Sequence, residues 1–140
     1  MTAPLHGLRA LITGGAKGIG LAIAHHLAAD GACIALLGRD DPAALQCAAA
    51  GLGAEHTVAD VTDPAALQAA IAHFSPCDIL VNNAGTAVSR PFLKHTAVTA
   101  CQAVLPGMRQ RGSGRIVNIA STAGLKGYHR LCDRIARPDG

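Results

Sequence analysis

The sequence predicts an α/β fold in which helices cover both faces of a parallel sheet. Short apolar runs that suit buried strands alternate with helix-like segments at intervals of roughly twenty residues. Half of the residues are apolar but only 2% are aromatic, and sixteen glycines allow close approach of the backbone. A chain of 140 residues is long enough to bury the core of one domain.

Five segments have the composition of buried strands, each followed by turn residues or a helix start. Residues 18–29 lie between the first two and have a helical period, with Ile19, Ile23 and Leu27 on one face and Gly31 as the stop. The predicted strands are Leu8–Thr13, Ala32–Leu37, His56–Ala59, Asp78–Val81 and Ile116–Ala120.

The six residues DPAALQ occur twice, at 41–46 and at 63–68. In each copy Asp suits the N-cap and Pro the first helical position, so we predict two helix starts. Two copies with different neighbours are too few for a solenoid. Residues 86–96 lead into AVTACQAVLPGM, which we interpret as only a stub of helix. Residues 122–140 show neither period, so we expect a weakly ordered tail after a domain at 1–121.

Composition argues against several classes of partner. The net charge is +3, its cations are scattered and aromatic residues are few, so we expect no nucleic-acid partner. Five cysteines without a CxxC pair indicate neither a disulfide framework nor a zinc or other metal site, and suggest reduced thiols in the cytoplasm. The start of the chain lacks a signal-peptide pattern, and no apolar run reaches membrane-spanning length, so we expect no membrane partner.

A glycine-rich stretch, TGGAKGIG at 13–20, lies where the first predicted strand leads into a helix. Glycines at 14, 18 and 20 let the backbone turn tightly and approach a pyrophosphate at the start of the helix. Their spacing is Gly-x-x-x-Gly-x-Gly rather than the more common Gly-x-Gly-x-x-Gly. A plain strand-to-helix turn is the alternative interpretation of this stretch alone.

Four motifs together resemble the short-chain dehydrogenase/reductase family. They are the glycine-rich turn at 13–20, DV at 60–61, NNAG at 82–85 and IVNIAS at 116–121. The resemblance runs from Leu8 to about Gly127 and is strongest to 3-oxoacyl-thioester reductases and 3-hydroxyacyl dehydrogenases. It implies a Rossmann-like sheet with strand order 3-2-1-4-5. It also implies hydride transfer between a nicotinamide dinucleotide and a small carbonyl or hydroxyl substrate.

The resemblance also implies a role for each matched cofactor position. The motif glycines would line the pyrophosphate, Asp60 would bind the adenine amino group beside the Val61 backbone, and NNAG would wall the adenine and ribose. For Asp60 the alternative is an ordinary helix cap, and for the two asparagines it is turn chemistry. The candidate cofactor-binding residues are Gly14, Lys17, Gly18, Ile19, Gly20, Arg39, Asp60, Val61, Asn82, Asn83, Ala84 and Gly85.

Charges near the predicted second strand bear on the choice of cofactor. An acidic residue at the end of that strand would bind a ribose 2′-hydroxyl and repel a 2′-phosphate. Here the position holds Gly38, followed by Arg39, and Lys17 lies in the glycine-rich turn. Two cations without an acid favour NADP over NAD; the alternative interpretation is that both are solvated surface charges.

The catalytic residues that the resemblance implies are a Ser, a Tyr with a Lys four residues later, and an Asn on the helix before the fifth strand. Ser121 matches the Ser. The Tyr position holds Arg134, which cannot donate a proton near neutral pH, and the Lys position holds Pro138. The only tyrosine, Tyr128, does not have the required spacing. The stretch that should carry the Asn is too short by roughly fifteen residues.

We therefore expect the cofactor-binding portion of such an oxidoreductase, impaired in catalysis and ending roughly a hundred residues before the family's usual length. A frame change or a misassembled gene model would each produce the divergent end. One alternative is an active enzyme that a partner chain completes. Another is a non-enzymatic binding remnant that self-associates through the exposed edge of Ile116–Ala120.

Overall fold

The computed structural model describes residues 3–39, 41–84 and 96–119 of the chain. The predicted tail at 122–140 and the domain boundary before it lie outside these residues. Strands and helices alternate along the described part. The elements are β1 (Arg9–Thr13), α1 (Gly18–Ala29), β2 (Cys33–Gly38), α2 (Pro42–Leu52), β3 (Glu55–Val58), α3 (Pro64–His73), β4 (Ile79–Asn82), α4 (Thr96–Arg111) and β5 (Arg115–Asn118).

The five strands form one parallel sheet in the order β3-β2-β1-β4-β5. This confirms the predicted fold class and strand order, with strand bounds shifted by one or two residues. Strand β1 is central, and its Leu11 lies opposite Ala35 of β2 and Leu80 of β4. The chain therefore turns in opposite directions on leaving β1 and β4, which opens a crevice at their carboxyl ends.

Helices pack on both faces of the sheet and bury an aliphatic core. Helices α1 and α2 cover one face, where Ala24, Leu45 and Ala49 meet alternate residues of β1, β2 and β4. Helices α3 and α4 cover the other face. Its buried cluster consists of Leu11, Ala35, Leu37, Leu67, Ala70, Ile71, Phe74, Cys77, Leu80, Ala100, Val104 and Met108.

Both DPAALQ copies begin helices in the predicted manner. The Asp41 carboxylate accepts a hydrogen bond from the Ala44 amide at 2.9 Å. Asp63 accepts two, from Ala65 and Ala66, at 3.0 and 3.3 Å. A proline follows each aspartate at the start of the helix. Each aspartate therefore satisfies backbone donors that would otherwise lack a partner.

Helix α4 corrects the prediction of a helical stub before the fifth strand. It spans 16 residues, Thr96–Arg111, and includes Pro106. Ala100, Val104 and Met108 are buried and lie four positions apart, so one apolar stripe faces the sheet. Packing of this stripe outweighs the local cost of the proline.

The buried face of α1 also differs from the predicted one. Ile19 was expected to share that face with Ile23 and Leu27, but it is 63% exposed. The buried residues of α1 are Gly20 and Ala24. At Gly20 the helix lies too close to the Gly14 carbonyl and the Asn83 side chain for a larger residue. Among the described helices, none is long and apolar enough to span a membrane.

Candidate functional site

The loops that follow β1, β3 and β4 meet at the carboxyl edge of the sheet and carry most of the predicted cofactor residues. Gly14 and Gly20 are packed against the end of β4. A Cβ on Gly14 would come within 3.0 Å of the Asn83 amide nitrogen and 3.1 Å of the Ala84 Cα. A Cβ on Gly20 would overlap the Gly14 carbonyl oxygen and the same Asn83 nitrogen. These two glycines let three pieces of backbone come together.

Gly18 serves a different purpose in the same turn. Its φ is +57°, which residues with a side chain rarely adopt, and a Cβ there would meet nothing within 4 Å. Gly18 therefore faces open space at the start of α1. Lys17 is the N-cap of this helix, no side chain caps the first turn, and that turn holds no acidic residue. The backbone N–H groups of the turn are thus available for an anion.

Thr13 joins the glycine-rich turn to β4, a role that our sequence analysis missed. Its side chain is fully buried, and its hydroxyl accepts hydrogen bonds from the amides of Asn83 and Ala84 at 3.1 and 3.0 Å. The hydroxyl lies 3.4 Å from the Val81 carbonyl oxygen, to which it donates. The Asn83 side chain adds a bond of 3.1 Å to the Gly14 carbonyl. The only signal for this role in the sequence was that a polar residue, Thr13, ends a strand predicted to be buried.

The two asparagines of the NNAG motif point to different surroundings. Asn83 faces the glycine-rich turn, whereas the Asn82 side chain donates to Oδ1 of the Asn118 side chain at 2.9 Å and to the Cys101 sulfur at 3.6 Å. The buried Oδ1 of Asn82 accepts no hydrogen bond from a described residue. Asn82 therefore braces β4 against β5 and α4, and Asn118 is its unpredicted partner.

Asp60 and Arg39 form an ion pair that the sequence analysis did not anticipate. Arg39 Nη1 lies 3.1 Å from Asp60 Oδ2. The other carboxylate oxygen accepts from the Thr62 amide at 2.8 Å and from the Thr62 hydroxyl at 2.6 Å. The bonds from Thr62, more than the Arg39 charge, lower the pKa of Asp60 from 3.8 to about 2. Asp60 does not cap α3, since Asp63 is its N-cap.

For the remaining predicted site residues the structure gives only their exposure. Lys17 and Ile19 are exposed at the start of α1, and Val61 is half-buried after Asp60. Gly85 and Ser121 lie outside the described residues. No group of three possible metal ligands occurs in the described part of the chain.

The features of this edge suit a dinucleotide. The turn offers uncapped amides and an open face at Gly18, and the close packing of Gly14 and Gly20 leaves no side chain between the backbone and a phosphate. Farther along the edge, Arg39 and Asp60 supply a cation and a hydrogen-bond acceptor. A dinucleotide needs these two kinds of group at separate ends of one crevice.

Comparison with known proteins gives a consistent result. A family model described as short chain dehydrogenase matches residues 9–133, which extends beyond our predicted limit near Gly127. A gluconate 5-dehydrogenase of Gluconobacter oxydans is 41% identical over 139 residues, covering 84% of this chain and 54% of the relative. A D-beta-hydroxybutyrate dehydrogenase of Cupriavidus necator is 38% identical, covering 86% of this chain and 55% of the relative.

Solved structures share the same fold. The L-sorbose reductase of Gluconobacter frateurii, complexed with NADPH and L-sorbose, is 32% identical and superposes with a TM-score of 0.77. The match covers 94% of this chain and 59% of that protein. The chain spans about half the length of the curated relatives it matches. With the sheet order and the glycine-rich turn, these matches show that the chain belongs to the short-chain dehydrogenase family of oxidoreductases, with their NAD(P)-binding fold.

Proposed function

We propose that this chain binds NADP(H) in the crevice at the carboxyl ends of β1 and β4. The observation that supports this proposal is a packed junction that holds the uncapped start of α1 at this crevice. The junction is formed by Gly14, Gly20, Thr13 and Asn83. The pyrophosphate lies against that turn in our proposal, beside Lys17, Gly18 and Ile19. The adenosine end lies near Asp60, Val61 and Arg39, and residues 82–85 form the wall between the two ends.

The preference for NADP over NAD rests on the two exposed cations. Arg39 follows β2 and Lys17 precedes the first turn of α1, and the position at the end of β2 holds Gly38 rather than the acidic residue that would select a free 2′-hydroxyl. The structure that contains NADPH belongs to a relative, the L-sorbose reductase, and supports this choice by similarity.

Calorimetric titration of the purified chain with NADPH and NADH tests the binding proposal. We expect saturable binding of both, tighter for NADPH, and a higher melting temperature at excess ligand. Arg39→Gln should reduce NADPH affinity about fivefold and leave NADH affinity nearly unchanged. Absence of any binding by a cooperatively melting chain would refute the proposal.

We further propose that hydride transfer by this polypeptide alone is impaired. The family reaction acts on a carbonyl or secondary alcohol, for which a 3-oxoacyl thioester is our candidate, and it uses a Tyr–Lys pair. Arg134 and Pro138 occupy the matching positions, and the chain has one tyrosine, Tyr128, at a different spacing. This leaves Ser121 as the one matched catalytic candidate.

Turnover assays separate impairment from completion by a partner chain. We expect no NADPH oxidation with 3-oxoacyl thioesters, even at ligand concentrations that saturate binding. Reproducible oxidation that Ser121→Ala abolishes would instead support an active enzyme. Oxidation that persists in Ser121→Ala would remove this residue from the mechanism.

Self-association through β5 is a second candidate function. β5 is the last strand of the described sheet, and Val117 on it and Ile119 just after it are 44% and 37% accessible. An exposed strand edge with apolar side chains favours pairing with another chain. In sedimentation velocity, we expect Val117→Asp to reduce self-association. The matched control is Val58→Asp at the opposite edge strand, where Val58 is also exposed. A monomeric wild type would exclude this function.

We place the protein in the cytoplasm in this proposal. The four cysteines of the described residues, Cys33, Cys47, Cys77 and Cys101, are all free. Free thiols suit a reducing compartment.

A further inference from the structure

The ion pair between Arg39 and Asp60 joins two residues to which the family resemblance gives separate roles. They lie 21 positions apart, in the loops after β2 and β3, and approach to 3.1 Å. Both side chains are partly exposed, at 53% and 37%, so a ligand in the crevice can reach them. The cation expected to bind a 2′-phosphate therefore already has an anionic partner.

Asp60 is held in place by contacts other than its bond with Arg39. Asp60 is fixed by both bonds from Thr62, and its backbone carbonyl also accepts from the Asp63 amide at 3.0 Å. Arg39 donates through its Nη1 atom to the other carboxylate oxygen of Asp60. A second anion that approaches Arg39 therefore meets a fixed carboxylate and must share the guanidinium with it.

We propose that Asp60 is a specificity-determining residue that weakens the preference for NADP by competing with the 2′-phosphate for Arg39. This inference rests on the proposed cofactor site. A ligand with a 2′-phosphate must draw the Arg39 guanidinium from a fixed carboxylate and place its own charge near that carboxylate. A ligand with a free 2′-hydroxyl bears neither cost. The chain consequently accepts both dinucleotides with a modest difference in affinity.

Adenosine 2′,5′-bisphosphate and 5′-ADP are suitable probes of this competition. Both contain the adenine that Asp60 is expected to bind, so loss of that contact affects both affinities and cancels in their ratio. Asp60→Asn removes the charge and keeps an oxygen for the Thr62 donors. We expect this variant to increase the preference for the 2′-phosphorylated probe about fivefold, as for one partly exposed ion pair. Asp60→Ala, measured in the same way, should shift the ratio in the same direction.

Two controls separate competition for Arg39 from general electrostatics. Asp63→Asn removes an equal charge three positions away and keeps a good N-cap for α3, so the ratio should change less than twofold. In an Arg39→Gln background, Asp60→Asn should lose most of its effect on the ratio, because no guanidinium remains to be released.

The outcomes distinguish the inference from the function on which it rests. If neither probe binds the folded wild type, the proposed cofactor site and this inference both fail. If both probes bind but the ratio is unchanged or falls in Asp60→Asn and in Asp60→Ala, only the inference fails. It also fails if the full increase persists without Arg39, since that result assigns the whole effect to repulsion between the carboxylate and the phosphate and none of it to competition for Arg39.

Discussion

The amino edge of the sheet, where the strands begin, differs from the carboxyl edge in what its charged side chains contact. Asp78 accepts a hydrogen bond from the Arg9 amide at 2.9 Å and lies 3.7 Å from Arg111 Nε. Arg111 also donates to the Cys77 carbonyl at 2.8 Å, and Arg9 donates to the Phe74 carbonyl at 3.3 Å. These charges are used to hold strands and helices of the same chain together.

At the carboxyl edge, the glycine-rich turn presents backbone instead of side chains. Gly18 faces open space, and the first turn of α1 has no side-chain cap. Only the base of the turn is closed, where Thr13 and Asn83 bind it to β4. The comparison teaches that charged side chains hold the fold together at the amino edge, whereas the amides at the start of α1 stay uncapped at the carboxyl edge, as our cofactor proposal requires. Substitutions at the two edges should therefore separate stability from nucleotide affinity.

The largest effect is expected for Gly20→Ala at the carboxyl edge. The new Cβ would overlap the Gly14 carbonyl and the Asn83 amide, so α1 must move away from the sheet. We expect the free energy of unfolding to fall by about 3 kcal/mol. NADPH binding should be lost as well. Urea denaturation and calorimetric titration measure the two effects.

Gly51→Ala is the matched control for that substitution. Gly51 lies in α2, and a Cβ there meets nothing within 4 Å. Because alanine favours the helix more than glycine does, the free energy of unfolding of this variant should rise by up to about 1 kcal/mol. Its NADPH affinity should stay unchanged. Equal stability of the Gly20→Ala and Gly51→Ala variants would contradict the close approach at Gly20.

A smaller loss is expected for Thr13→Val, which keeps the shape of the side chain and removes its hydroxyl. The amides of Asn83 and Ala84 would then be left without this acceptor in a buried place. We expect the free energy of unfolding, measured by urea denaturation, to fall by about 2 kcal/mol, together with weaker NADPH binding. Thr57→Val, a half-buried position in β3, is the control and should leave NADPH affinity unchanged. A neutral Thr13→Val would show that the hydroxyl does not hold the turn.

The contrast between the edges also explains how much the sequence could predict. The glycines and the Asp-Pro helix starts meet local needs of the backbone, so short stretches such as 13–20 and 41–46 indicate their roles directly. The strand order was predicted through the resemblance, and the structure confirms it. The bonds of Arg9 to Asp78 and Phe74 join residues 69 and 65 positions apart, and no local pattern indicates such pairs.

Two errors have the same physical origin. Helix α4 was expected to be only a stub, whereas burial of Ala100, Val104 and Met108, a tertiary effect, sustains it over 16 residues. The Arg39–Asp60 pair was missed because each residue was assigned to the ligand separately. In both cases the deciding contact lies between elements that are distant in sequence.

At the amino edge, Asp78→Ala should reduce stability without affecting the ligand. The Arg9 amide would lose its acceptor, and Arg111 would lose its carboxylate partner. We therefore expect the free energy of unfolding, measured by urea denaturation, to fall by about 1.5 kcal/mol. NADPH affinity should stay within about twofold of the wild type. Asp30→Ala, at the exposed carboxyl end of α1, is the control and should be nearly neutral. A large drop in affinity for Asp78→Ala would show that the edges are coupled.

The smallest effect is the contribution of Asp60 to stability as pH changes. Its folded-state pKa of about 2 lies below the ordinary value of 3.8, so ionised Asp60 stabilises the folded chain above about pH 4. This contribution is lost as the pH falls from about 4 to about 2. Urea denaturation of the wild type and Asp60→Asn should show a small, constant difference in the free energy of unfolding at neutral pH. This difference should shrink as the pH falls from about 4 to about 2.

Thr62→Val sharpens this test because the Thr62 hydroxyl is the strongest cause of the lowered pKa. Without that donor at 2.6 Å, the pKa of Asp60 should rise toward its ordinary value. The pH range over which Asp60 loses its contribution to stability should then become narrower at its acidic end. Arg39→Gln should move the pKa less, since the contribution of Arg39 is smaller. If Arg39→Gln shifts the window more than Thr62→Val, then the guanidinium rather than Thr62 fixes the carboxylate. Asp60 would in that case be the mobile member of the pair, and competition for Arg39 would cost a 2′-phosphate correspondingly less.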